Sequence, residues 1–92
     1  DEASLGTNDE KLADDTVTMF PNPTNNKQFT VKLNKLDGDS NILVYNIIGT
    51  VVKNITTKNN EEFIDLSNYS SGVYLVKVNN EQGEITKKLI VK

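Results

Sequence analysis

The stretch that decides the fold is Ile64-Asp65-Leu66-Ser67-Asn68-Tyr69-Ser70-Ser71-Gly72-Val73-Tyr74-Leu75-Val76-Lys77-Val78, followed by Gly83 and the basic-aliphatic run Lys87-Lys88-Leu89-Ile90-Val91-Lys92. It reads as a short strand, a polar corner closed by glycine, a second strand, a hairpin turn and a third strand reaching the last residue. Val73, Leu75 and Lys77 alternate with Tyr74, Val76 and Val78 at the two-residue period that puts successive side chains on opposite faces of a sheet. Termini fray unless something ties them down, so an apolar terminal strand is expected either to be built into a sheet or to be read by a partner.

Working outward, the same punctuation repeats. Thr16 to Phe20 is a strand stopped by Pro21-Asn22-Pro23, which cannot continue a ladder. Phe29, Val31 and Leu33 alternate with Thr30 and Lys32. Asp37-Gly38-Asp39-Ser40 reads as a hairpin-type turn, since glycine there accepts positive φ. Ile42 to Tyr45 reads as a more fully buried strand, turned at Asn46-Ile47-Ile48-Gly49 with Gly49 left-handed, and Val51 to Thr56 returns antiparallel. Phe63 to Leu66, Val73 to Val78 and Glu84 to Val91 complete about seven short strands, separated by turn signals. No stretch repeats its apolar positions at helical spacing over three turns, so the fold class is all-β, an antiparallel sandwich.

Composition narrows what the domain can do. The chain has 92 residues, no cysteine and no histidine, and its 10 basic residues are all lysine. Disulfides and thiolate metal sites are therefore excluded. The usual neutral-pH general base and the bidentate arginine clamp are also missing, so no enzyme is expected. A formal net charge of −3 argues against nucleic acid. Apolar runs never exceed four residues, so no direct membrane insertion is expected. No signal peptide opens the sequence, and an exported protein carrying it would be longer. Six of the 13 acidic residues and one lysine lie in residues 1–15, which read as a flexible acidic linker ahead of a domain at 16–92.

Several local patterns have ordinary explanations. Asp37-Gly38-Asp39 lacks the further acids and the glutamate of a calcium loop and is read as a turn. Glu61-Glu62 and Asp14-Asp15 are adjacent carboxylates that face opposite sides of a strand and read as solvated charges. Ser70-Ser71 with Lys77 lacks an oxyanion hole or an orienting third group. Asn54-Ile55-Thr56 and Asn68-Tyr69-Ser70 match a glycosylation pattern three residues long. Lys87-Lys88 reads as a strand edge guarded by charge. Tyr45, Tyr69 and Tyr74 are scattered rather than gathered into a sugar-binding platform. No cofactor or metal site is expected.

Phe20-Pro21-Asn22-Pro23, Val44-Tyr45-Asn46-Ile47-Ile48-Gly49-Thr50-Val51-Val52, Ile64-Asp65-Leu66-Ser67, Gly72-Val73-Tyr74 and the Lys-Lys-aliphatic end occur in that order. Together they resemble the type A C-terminal sorting domain of the Bacteroidetes type IX secretion system, over about residues 16–92 and in an asparagine- and lysine-rich, flavobacterial style. The resemblance implies an immunoglobulin-like sandwich at the end of a secreted enzyme or adhesin. It also implies transit of the periplasm and outer membrane, with the translocon, outer-membrane shuttle proteins, a sortase and the N-terminal cargo domain as partners. The expected fate is secretion or display at the cell surface, with cleavage within residues 1–18 and a monomeric domain. The sorting-motif residues it implies are Phe20, Pro21, Asn22, Pro23, Gly49, Gly72, Val73, Tyr74, Lys87, Lys88, Leu89, Ile90, Val91 and Lys92. Met19-Phe20, Tyr69 and Ser71 depart from the usual residues, and Asp15-Thr16-Val17 resembles a short O-glycosylation sequence of the phylum. The alternative is an immunoglobulin- or fibronectin-like accessory module that binds carbohydrate or a surface partner.

Overall fold

The computed structural model describes residues 12–34, 36 and 38–92. Seven strands follow one 3-10 turn at Asp14–Thr16: β1 (Val17–Phe20), β2 (Gln28–Leu33), β3 (Ser40–Tyr45), β4 (Val51–Thr57), β5 (Glu61–Asp65), β6 (Gly72–Asn80) and β7 (Gly83–Val91). They form two antiparallel sheets, β1-β2-β5 and β4-β3-β6-β7. This is the sandwich that the alternating sequence implies.

Alternation places the core. Phe29, Val31 and Leu33 of β2, with Val17 and Ile64, line the inner face of the three-stranded sheet. Ile42, Val44, Tyr74, Val76, Val78, Ile85, Leu89 and Val91 line the facing sheet. Burying each such side chain contributes about 1.5–3 kcal/mol, the main stabilising term available to a chain without disulfides. Leu43 and Tyr45 are only half-buried and point outward, so β3 is one-sided rather than the fully buried strand expected.

Two connections and one residue of the acidic lead differ from their sequence readings. Gly38 has φ 76°, as a turn glycine should, but β2 and β3 belong to different sheets. The Gly38 segment is therefore a crossover, and Asp37 lies outside the described residues. The β6–β7 hairpin is tighter than expected, because pairing continues to Asn80↔Gly83 and leaves only Glu81-Gln82 at the tip. Most of the acidic lead, residues 1–11, lies outside the described residues. Leu12 does not behave as exposed linker: it is 8% exposed within the core cluster, and its N–H donates to Glu84 O at 2.9 Å.

The corner between β5 and β6 explains the Gly-Val-Tyr run. Tyr74 is buried at the start of β6, and its hydroxyl donates to Ser70 O at 2.6 Å, four residues upstream. This is a tyrosine corner, the device that pins the same crossover in immunoglobulin-like sandwiches. Gly72 just before it has φ 152°, while a Cβ built there would meet no atom within 4 Å. Backbone conformation rather than crowding therefore selects glycine. Tyr69 adds a second tie by donating its hydroxyl to Val52 O at 3.2 Å. Replacing Tyr74 by phenylalanine should keep the fold and lower stability by about 1–2 kcal/mol, read by urea denaturation, because Ser70 O loses its donor.

Candidate functional site

β7 is an edge strand of its sheet, and such an edge presents a row of unpaired peptide groups. In a two-residue hairpin the residues flanking the turn form a hydrogen-bonded pair, here Asn80 and Gly83. The peptide groups of residues 84, 86, 88 and 90 consequently face away from β6. Much of that row is occupied, though not by a strand of the same sheet.

The occupant is the connection between β1 and β2. Pro21 and Pro23, both preceded by cis peptide bonds, carry the chain out of its own sheet and along the free side of β7. Asn22 then uses its side-chain amide as a peptide group would be used. Its Nδ2 donates to Lys88 O at 2.9 Å, and its Oδ1 accepts Ile90 N at 3.1 Å. One residue past the second proline the main chain takes over. Thr24 N donates to Ile90 O at 2.9 Å, Lys92 N donates to Thr24 O at 2.9 Å, and Thr24 and Val91 form a parallel bridge. Neither proline has an N–H to offer, so the side-chain amide at Asn22 fills the place in the ladder that they leave empty.

Thr24 fixes the clamp from behind. It is fully buried, and its hydroxyl lies 2.8 Å from Gln28 O and 3.0 Å from Asn26 Oδ1. Asn26 Oδ1 also accepts Gln28 N at 3.1 Å, closing the turn into β2. Sequence reading stopped at Pro23 and missed Thr24. The available signal was a hydroxyl residue directly after the second proline, a place where turns recruit side chains to satisfy backbone groups. At the other end of β7, Leu12 N on Glu84 O covers the edge beside the hairpin.

The structure thus gathers the sequence-predicted residues into two neighbouring groups. Pro21, Asn22 and Pro23 lie against Lys88 to Lys92, although 66 residues separate Asn22 from Lys88. Gly72, Val73 and Tyr74 pair in register with Val91, Ile90 and Leu89, on the other side of the same strand. Gly49 stands apart at the β3–β4 tip, with φ 89° as expected. Leu89 and Val91 point into the core, Lys88 is exposed on the outer face, and Phe20 is partly exposed at the end of β1. Register carries a continuous outer row across the sheet: Val51 beside Tyr45, Tyr45 beside Leu75, Leu75 beside Lys88, and Asn22 on the carbonyl of Lys88.

The described acidic residues have structural partners or stand apart from one another. Among the described residues no three carboxylates gather as a metal site, and no helix is long and apolar enough to cross a membrane. Glu62, read as a solvated charge, is instead held by the Thr57 hydroxyl and the Asn59 amide across the β4–β5 connection. Hydrogen bonding from Ser67 holds the exposed Asp65 carboxyl below its usual range, with Lys53 adding a smaller effect. That arrangement starts the polar corner and assigns Asp65 no chemistry. Thr16 is buried, so the Asp15-Thr16-Val17 hydroxyl is not presented on the folded domain.

Comparison with known proteins settles the family. The model described as "Secretion system C-terminal sorting domain" matches residues 18–92, the span that contains both β7 and its clamp. The chain belongs to this family of type IX sorting domains. Beta-agarase A of Zobellia galactanivorans is 30% identical over 88 residues, which is 96% of this chain and 16% of the agarase. The sorting domain thus spans about a sixth of that relative. Its fold matches part of a solved structure of PorZ, a surface component of the type IX secretion system of Porphyromonas gingivalis. That match has TM-score 0.70 at 17% identity, and covers 85% of this chain and 12% of the PorZ chain.

The clamp makes a direct prediction for the sorting domain. Asn22→Ala leaves a strand carbonyl and an N–H without their partner and should cost about 1–3 kcal/mol. Asn25→Ala, at an exposed position in the same connection, should change stability by less than about 0.5 kcal/mol. Chemical denaturation of the two variants beside the parent measures both.

Proposed function

We propose that this domain is a folded export address carried at the C-terminal side of a secreted cargo. In this reading the type IX translocon, with its outer-membrane shuttle proteins, recognises the folded domain after the cargo has entered the periplasm. It then moves the whole protein across the outer membrane, to be released or displayed at the surface. The observation that carries the reading is the union of Pro21-Asn22-Pro23, Gly72-Val73-Tyr74 and the terminal strand into one structure. Motifs that are far apart in sequence come together around β7, where Asn22, Gly72, Val73, Lys88 and Lys92 are exposed over the buried Tyr74, Leu89 and Val91. The domain's own role is binding rather than catalysis, and its family is one of sorting domains.

The proposal includes removal of the domain by a sortase on the N-terminal side of Leu12. Within the expected window of residues 1–18, residues 12–18 are fastened to the body. Leu12 is buried, Thr16 N donates to Ala13 O at 3.0 Å, and Asn34 holds Thr16 O and Asp15 O through its backbone and side-chain N–H groups. An endopeptidase acts on exposed, extended chain, which this segment does not offer.

The test is a reporter with a periplasmic signal peptide at its N-terminus and residues 1–92 at its C-terminus, expressed in a flavobacterium. It should appear outside the cell or on its surface in the wild type, and stay in the periplasm when the translocon is deleted. Retention in both strains, or equal export from both, would overturn the sorting role. Mass spectrometry of the exported reporter should place its new C-terminus before Leu12.

A further inference from the structure

β5 is an outer strand of the three-stranded sheet, and its ladder shows which way its peptide groups point. Leu33 N donates to Asn60 O and Leu66 N to Lys27 O, each at 2.7 Å. These two bonds bracket the β2–β5 register, so residues 60, 62, 64 and 66 bond β2 while 61, 63 and 65 turn their peptide groups away. Among the described residues no backbone hydrogen bond reaches that outer row. The other edges differ. The clamp holds β7, the Tyr69 hydroxyl sits on Val52 O of β4, and the outer face of β1 carries only Thr18 and Phe20.

The side chains of the free row also share one face. Glu61, Phe63 and Asp65 are all exposed, Phe63 to 62%, while Ile64 between them fills the core. Register extends them into rows across the sheet. Phe20 stands beside Thr30 and Thr30 beside Phe63, with Thr18, Lys32 and Glu61 as the neighbouring row. Glu61 makes no ion pair with Lys32, and Lys53 acts on Asp65 less than Ser67 does. Acids alone would guard the edge against pairing, but a phenylalanine exposed at its centre invites it.

We infer that β5 accepts an extended segment of another protein as a fourth strand, with an apolar residue opposite Phe63 and a lysine or arginine opposite each of Glu61 and Asp65. Cross-strand neighbours of opposite charge stabilise a sheet, so the rows themselves specify the occupant. A lipid surface offers no alternating N–H and C=O groups, and the two acids repel an anionic one. A second copy fits no better. β5 against β5 centred on Phe63 sets Glu61 against Asp65, and a shift by two residues sets an acid against the phenylalanine. The chain's own lead carries six acids and one lysine in residues 1–15, the wrong charge for this edge. The inference goes beyond the sorting reading and stands without it.

The test is an NMR titration of the 92-residue chain with acetylated, amidated Thr-Lys-Thr-Val-Thr-Lys-Thr to about 1 mM, the range that reads weak docking. Amide shifts should concentrate at Glu61, Phe63 and Asp65 and spare Val17, Asn54 and Thr56 on the other edges. Replacing both peptide lysines by glutamate should weaken binding at least about tenfold, and N-methylation of the peptide amides that face β5 should abolish it. Glu61→Lys, an exposed change that should barely move stability, should weaken the lysine peptide about as far. A peptide with glutamate opposite residue 61 and lysine opposite Asp65 should then restore binding to that variant. Absent shifts, shifts centred elsewhere, or equal affinity for the glutamate peptide would refute the added strand. So would a dimer of the parent chain that Phe63→Ser dissolves, or co-sedimentation with phosphatidylglycerol vesicles that Phe63→Ser prevents, because either names a different occupant. Such a failure leaves the sorting reading standing, since the export reporter decides that one.

Discussion

An edge strand needs partners for its outward peptide groups, and this domain meets that need from an unusual source. β7 is the last element of the four-stranded sheet, so its free side would otherwise be open to solvent or to another chain. Asn22 and Thr24 supply hydrogen bonds to residues 88, 90 and 92, and Leu12 supplies one to residue 84. The segment that does this belongs to the β1–β2 connection, which is rooted in the opposite sheet. Two layers are thereby stitched along one side, and β7 contributes Ile85, Leu89 and Val91 to the core.

The clamp also accounts for residues that sorting alone would leave unexplained. Proline on either side of Asn22 removes main-chain donors and keeps the connection from extending β1. Tyr74 and Gly72 do corresponding work on the other side of β7, where the tyrosine corner fixes the entry into β6 and hence the strand that pairs with β7. Motif residues that look like recognition signals are in this sense first of all structural. Asn22, Gly72 and Tyr74 each position the same strand.

Much of this was legible in the sequence, and what was not has a physical reason. Alternation in Phe29-Thr30-Val31-Lys32-Leu33 and in Val73 to Val78 gave the strands, because a two-residue period and one buried face leave little freedom. Gly49 was readable because the tip is closed by its own neighbours. Gly38 was not, since a glycine turn looks the same whether the chain folds back or crosses to the other sheet. Leu12 was hidden because a single apolar residue among acids carries no period. Asn22 could be named, but its partner could not, because an amide that bonds a strand 66 residues away leaves no local trace. The exposure of Ile47 and Ile48 was invisible for a similar reason, since it emerges only once every neighbour is in place.

The central claim is that Asn22 acts as a peptide group in the terminal strand's edge, and hydrogen exchange tests it most directly. In Asn22→Ala, the amide of Ile90, which loses its acceptor, should exchange at least about tenfold faster than in the parent, while Val76 and Val78 in the sheet interior keep most of their protection. Unchanged protection at Ile90, or uniform loss across β6 and β7, would contradict the account.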